Sequence, residues 1–305
     1  MIDYVIKRGS QMIIVVLLAL TAVFFLVRLA GDPTALFLPA DASREQIEEY
    51  RHLLGFDRPL LIQYTEFMTN AIQGDFGQSL RTSEDALQMI LARLPATFQL
   101  AFTALGLSLV VAIPIGIITA YKKNSLLDYL GVSMTVLGQA IPSFWLGLIL
   151  IFIFAAHLKW VPSGGGGSTV HLVLPAVTLA AYSIARFARF TRSTMADVLR
   201  KDYIRTARSS GIPVSRILFR YAFKNTLIPI ITLVALDLGV LLGGAVITEV
   251  VFAWPGIGKL LMQALLNRDF PVVMAGVFFV AMIYCLINFL VDVLYAYVNP
   301  QIRFK

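Results

Sequence analysis

Charge is scarce in this chain. Asp, Glu, Lys and Arg make up only 14% of its 305 residues, against roughly a quarter in an ordinary soluble domain. Cysteine occurs once, as Cys285 inside an apolar stretch, which excludes a disulfide within the chain and a cysteine-rich metal site. The histidines, His52, His157 and His171, lie too far apart to have metal-ligand spacing or to form a catalytic constellation. No Gly-x-x-x-x-Gly-Lys-Ser/Thr occurs anywhere, so the chain has no phosphate cradle of that kind. The four glycines 164–167 do not supply one, because no strand precedes them and no Gly-Lys-Ser/Thr follows. They read as a flexible turn.

Hydrophobic residues are abundant, at 58% of the chain. About 20 consecutive apolar residues cross the roughly 30 Å of a bilayer's hydrocarbon. Such stretches recur over 10–30, 96–121, 128–156, 171–190, 226–250 and 271–298. A membrane β-barrel would show short alternating segments instead. The expected fold class is therefore all-α, a polytopic membrane protein with six transmembrane helices forming one transmembrane domain over 1–305. The first apolar core, residues 12–27, is longer than a signal-peptide core and reads as a retained anchor.

Basic residues set the orientation of such a chain. With the N-terminus in the cytoplasm, sixteen of the 25 Lys and Arg fall inside, ten of them between Arg186 and Lys224. Twelve of the 18 acids fall outside. Both termini are then cytoplasmic. The net charge of +7 is thereby a matter of membrane topology rather than of nucleic-acid binding. The outside segment 31–95 alternates charged and apolar groups at helical spacing and predicts two or three short helices at the membrane surface.

The inside segment, 199–225, predicts two short helices meeting at a glycine corner. Residues 202–209 place Ile204 and Ala207 on one side. Gly211 interrupts, and Pro213 opens a second helix. Val214, Ile217, Leu218, Tyr221 and Ala222 form its apolar face, and Arg216, Arg220 and Lys224 its basic face. Two readings stand side by side: an amphipathic segment lying on anionic lipid, and a docking device for another protein.

Here the sequence resembles a family. Residues 202–211, Asp-Tyr-Ile-Arg-Thr-Ala-Arg-Ser-Ser-Gly, followed by Lys224-Asn225-Thr226-Leu227-Ile228-Pro229, are similar to the permease signature of bacterial binding-protein-dependent ABC importers. In that signature a Glu-Ala-Ala triplet precedes the glycine; here Arg205, Thr206 and Ala207 hold those places, the form typical of the dipeptide/oligopeptide branch. Ser209-Ser210 replaces the small-basic pair usual there. The likeness continues through Gly31-Asp32-Pro33, Gly74-Asp75-Phe76-Gly77-Gln78-Ser79, Ile141-Pro142-Ser143-Phe144-Trp145, Trp254-Pro255-Gly256, Arg268-Asp269-Phe270-Pro271 and Asn299-Pro300-Gln301-Ile302-Arg303.

The resemblance implies a type I ABC importer permease fold in the bacterial cytoplasmic (inner) membrane. It implies a second, homologous permease, two ATPase subunits that hold the ATP and Mg, and an extracytoplasmic solute-binding protein. This chain itself holds no cofactor and is not an enzyme. The expected solutes are di- or oligopeptides, with glutathione, a nickel chelate or another small solute as the alternative. Residues 202–211 would be the coupling helix, with Tyr203, Arg205, Thr206, Ala207, Arg208 and Gly211 at the ATPase. A self-contained secondary transporter is the rival class, but no inverted repeat is visible.

Charges inside spans carry a functional expectation. Asp237, midway along the fifth span, either faces the substrate path beside Gly243 or is a hydrogen-bonding partner. Asp292 falls near the inner end of the sixth. Glu249, with Phe252 and Trp254, caps the outer end of the fifth. Trp145, Trp160 and Trp254 fit an interfacial aromatic belt. The segment 252–269, with Phe252, Trp254, Arg268 and Asp269, is the expected docking surface for the binding protein.

Overall fold

The computed structural model describes residues 2–29, 31, 34, 38, 42–53 and 55–298, with side chains between 6 and 291. The side chain of Asp292, the motif 299–303 and part of the motif 31–33 lie outside the described residues. The described chain is helical; one isolated antiparallel bridge, Gln78 to Asp85, is its β-type pairing. Five helical stretches are long and apolar enough to cross a membrane: Ile6–Leu29, Ala86–Tyr121, Val170–Val198, Val214–Val251 and Phe270–Val291. A bent pair raises the number to as many as six. The chain divides into two compact units, residues 1–95 with 256–289 and residues 96–255 with 290–305.

The first unit holds α1 (Ile2–Leu29), α2 (Arg44–Leu53), α3 (Leu60–Ile72), the start of α4 (Ala86–Tyr121), α11 (Ile257–Leu266) and most of α12 (Phe270–Val298). Helix α1 buries Leu20, Val23, Phe24 and Val27, the i, i+3, i+4, i+7 stripe of a helix packed on one face. These meet Phe76, Ile90, Ile257, Phe270 and Met274 in one apolar core. Ile13, Leu18 and Leu26, on the other faces of α1, are exposed, as suits a helix whose solvent is lipid. Helix α2 begins with a reciprocal cap: Gln46 N–H donates to Ser43 Oγ at 3.2 Å, and Ser43 N–H donates to Gln46 Oε1 at 2.9 Å. Helices α2 and α3 are the short helices expected in 31–95.

The second unit holds the rest of α4, then α5 (Leu126–Ala140), α6 (Ser143–Leu150) with a π-helical continuation over Ile151–His157, α7 (Val170–Val198), α8 (Asp202–Ser209), α9 (Val214–Arg216) with a π-helical stretch over Ile217–Phe223, and α10 (Lys224–Val251). Helix α7 packs against α5, α6 and α10. Its buried residues, among them Leu172, Ala176, Leu179, Ala180, Phe187 and Ala188, meet Leu100, Ala104, Leu241 and Trp254.

The expected straight third span, 128–156, is corrected: α5 and the helix Ser143–His157 meet at 103°. Ile141 stands before Pro142 and is extended, at ψ 122°, the conformation that a following proline ring imposes. Pro142 then serves as N-cap of α6. Pro175 and Pro229 lie inside α7 and α10 without ending them, since a membrane helix can re-satisfy the one carbonyl a proline frees.

The second helix expected after Gly211 is not a separate element. Residues 214–223 run through the π-helical stretch into α10, giving one apolar helix over Val214–Val251. No glycine or proline interrupts 214–228. The basic face survives: Arg216, Arg220 and Lys224 are exposed, while Ile217 and Ala222 are buried.

Candidate functional site

Helix α8 is held by two residues. Ile204 and Ala207, one turn apart, sit in a cluster with Ile117, Ala120, Met195, Ile217 and Ala222. Tyr203, Arg205, Thr206 and Arg208 are left exposed. Of the six coupling residues expected, four therefore present their side chains outward, Ala207 is an anchor, and Gly211 shapes the exit. One further tie is visible. Asn225 Nδ2 donates to the Tyr203 hydroxyl at 3.1 Å and to the Tyr221 carbonyl at 2.7 Å, so the start of α10 holds α8 in place.

The exit from α8 is a Schellman turn. Gly211 N–H donates to the Arg208 carbonyl at 3.0 Å, and Ile212 N–H to the Ala207 carbonyl at 3.2 Å. Gly211 has φ +75°, the left-handed region that costs a residue with a Cβ about 1–2 kcal/mol. Nothing lies within 4 Å of where that Cβ would stand. The glycine answers to the backbone angle alone, and the space beside the corner is open.

A cavity of about 350 Å³ lies where α5 bends into α6, and α7 and α10 close its other sides. Gln139, Ser143, Tyr182, Ser183, Leu241 and Gly244 contribute to its wall. Gly243, the expected path residue, is exposed with open space beside it; its neighbour Gly244 lines the cavity. Asp237 is fully buried and lies behind the wall. Its Oδ2 accepts from Ser183 Oγ at 2.5 Å and its Oδ1 from Arg186 Nη1 at 2.7 Å. Asp237 is thus the α10 half of an α7–α10 ion pair, not an isolated acid. A second pair fixes α5 to α7: Arg192 Nε and Nη2 donate to Asp128 Oδ1 and Oδ2 at 2.6 and 2.8 Å, a two-pronged geometry specific to Arg. Sequence reasoning missed Arg186, Arg192 and Asp128 as partners. Each was counted only as a topological charge.

Helix α10 ends in the same kind of turn as α8, with Ala253 in place of glycine. Ala253 N–H donates to the Val250 carbonyl at 3.2 Å and Trp254 N–H to the Glu249 carbonyl at 2.8 Å; Ala253 has φ +49°. Around this turn everything is packed. Phe252 is 1% exposed and Trp254 3%, which corrects their expected place on an exposed docking surface. Trp254 Nε1 donates to the Ala96 carbonyl at 2.9 Å, and Glu249 Oε1 accepts from Thr97 Oγ1 at 2.7 Å. Glu249 does cap this end, as expected, but from the interior. The glycine run is also corrected. Gly165 N–H donates to the Phe252 carbonyl at 2.8 Å, and a Cβ on Gly164 would land on that carbonyl oxygen. The run is a close-packed clamp on Phe252, not a loose turn.

Arg268 and Asp269 belong to the other unit. Asp269 is buried; Ser79 Oγ donates to its Oδ2 at 2.5 Å and Leu80 N–H to its Oδ1 at 3.1 Å. Its carboxylate is occupied in holding the segment after α3 to the α11–α12 turn. Arg268, at φ +53°, is exposed. Of the four residues expected to dock a binding protein, Arg268 is the one whose side chain reaches the surface. Trp145 and Trp160 are exposed, at 49% and 69%, which fits an interfacial belt; Trp254 is not part of one.

Comparison with known proteins covers nearly the whole chain. Residues 112–304 match the family model for the binding-protein-dependent transport system inner membrane component, and residues 1–101 match the model for the N-terminal part of such membrane components. A glutathione transport system permease protein of Pectobacterium atrosepticum is 40% identical over 306 residues, covering 100% of both chains. The corresponding protein of Escherichia coli (strain K12) is 39% identical with the same coverage. In fold, a chain of the MetNI methionine ABC transporter, solved in an inward-facing conformation, matches at a TM-score of 0.58. The match covers 70% of this chain and 97% of that one at 16% identity.

Proposed function

The chain belongs to the family of inner membrane components of binding-protein-dependent transport systems, and from that premise we propose how it is driven and what it carries. It is a multi-pass permease subunit of an ABC importer, and ATP hydrolysis belongs to separate subunits. The coupling element is α8. The observation that carries this reading is a short helix anchored on one face by Ile204 and Ala207 while Tyr203, Arg205, Thr206 and Arg208 stand exposed beside an open corner. An ATPase that grips the exposed face moves the anchored face, and with it the α7 and α10 helices packed in the same cluster. A rigid helix transmits such a displacement; a loose loop would absorb it.

The partners are a second homologous permease, two ATPase subunits and a solute-binding protein. Arg268 is the residue of this chain offered to the binding protein, with Phe252, Trp254 and Asp269 as the scaffold beneath. Both termini are cytoplasmic, a reading supported by the sixteen of 25 basic residues on that side. Asp237 acts on the path from behind Ser183. The solute is glutathione or a peptide of its size, in preference to the general di- and oligopeptides expected of the branch. The full-length relatives that are 39–40% identical support this choice, since their own names specify glutathione.

The test is reconstitution. The tagged chain should bring down a second permease and two ATPase subunits. In liposomes that complex should take up labelled glutathione only with ATP and its binding protein. Uptake by the chain alone, without ATP, would overturn the reading.

A further inference from the structure

The cavity at the α5–α6 bend holds a group that nothing in the chain satisfies. Gln139 stands one residue before the end of α5 and lines the cavity. Its Nε2 is buried and has no hydrogen-bond partner. Buried side-chain amides are almost always paired, so an unpaired one at a cavity wall marks a place where a ligand completes the bonding. The cavity, at about 350 Å³, lies within the roughly 300–1,000 Å³ of small-molecule sites. Ser143 and Tyr182 add hydroxyls to its wall, while Leu146, Leu179 and Leu241 make much of the rest apolar.

The charge state narrows the chemistry. The nearest acid, Asp237, sits behind Ser183 with its oxygens taken by Ser183 and Arg186. No Asp, Glu, Lys or Arg lines the cavity. The wall therefore offers no counter-charge to an ammonium or a carboxylate. It offers a neutral primary amide, which donates from nitrogen and accepts at oxygen. The group that matches a primary amide at both points is another amide.

We propose that this cavity is a solute-contact site of the permease, and that Gln139 pairs there with a backbone amide of the transported peptide. The proposal rests on the reading of the solute as glutathione or a peptide of its size. A site that reads the peptide bond rather than a side chain or a terminus holds its cargo through one or two neutral hydrogen bonds. Such a grip orients a passing solute without trapping it.

The experiment compares ATP-dependent uptake of glutathione with uptake of glutathione methylated on its cysteinyl–glycine amide nitrogen, in liposomes carrying the whole complex. The wild type should favour glutathione by roughly three- to tenfold, the range of one or two neutral hydrogen bonds. Gln139→Met, close in size and without the amide, should bring the ratio near one by slowing glutathione alone. Gln139→Asn withdraws the amide by one methylene and should lower the ratio likewise, so the test stands if the Met variant fails to assemble. The binding protein is the same in every complex, and its own preference cancels. A ratio that stays at the wild-type value in an assembled variant overturns the site while leaving the glutathione reading intact. Failure of the wild-type complex to import glutathione overturns that reading and the site with it.

Discussion

Helix α8 ends at Gly211 and α10 ends at Ala253, both through the same pair of backbone hydrogen bonds. At Gly211 the backbone takes φ +75° with nothing beside it. At Ala253 it takes φ +49° while Phe252 and Trp254 on either side are buried and a glycine run is clamped against Phe252. Glycine appears where the turn has no neighbours to enforce it. Alanine is tolerated where burial of two aromatic rings over-determines the path and outweighs the strain. One corner is kept open for another molecule, and the other is closed by its own chain.

Four substitutions would break or sharpen that contrast. The largest effect belongs to Gly164→Val. Its Cβ would occupy the position of the Phe252 carbonyl oxygen, and overpacking of this kind costs about 3 kcal/mol. Fluorescence-detected size exclusion should show little or no monodisperse complex, and a normal peak would mean that the clamp is dispensable. Reversing the exposed charges of α8, as in Arg205→Glu with Arg208→Glu, should leave the melting temperature alone but cut coupled uptake by roughly tenfold, the weight of about 1.4 kcal/mol. Thermal stability that falls with uptake would place those arginines in the fold rather than at a partner.

Gly211→Ala tests the open corner through its backbone. It should cost about 1–2 kcal/mol locally. The expected phenotype is several-fold weaker recovery of the ATPase subunits, with spans and global stability intact. Full recovery would remove the corner from the coupling argument. The smallest effect is a gain. Ala253→Gly relieves the left-handed strain at the closed corner, less the entropy a new glycine costs, and should raise the melting temperature by about 1–3 °C with uptake unchanged. A loss of stability would mean that the Ala253 methyl group is needed for packing.

Much of the architecture was readable in the sequence because its cause is local. Long apolar runs make spans wherever they occur, and Ile204, Ala207 and Gly211 announce an anchored helix with a left-handed exit at fixed spacing. What escaped is set by residues far apart in the chain. Asp237 and Arg186 are separated by 51 positions, and no single-chain pattern joins them. Pro142 bends the chain by 103° while Pro175 and Pro229 leave their helices unbroken, a difference decided by the helices around each ring. Four glycines in a row look loose in any sequence; only the Phe252 carbonyl packed against them makes them necessary. The buried state of Phe252, Trp254 and Asp269 was hidden for the same reason, since aromatic and acidic residues after a span also suit a surface.

The Asp237–Arg186 pair has an electrical consequence. A lone carboxylate carried across the whole membrane would exchange about 2.3 kcal/mol with each 100 mV of potential. Two opposite charges 2.7 Å apart that travel together carry no net charge through the field and exchange almost nothing with it. The membrane voltage therefore has no lever on α10 at this point. Whatever shifts α10 must push on it mechanically, and glutathione uptake by the assembled complex should run at the same rate in polarised and depolarised vesicles, provided that the solute itself crosses without net charge.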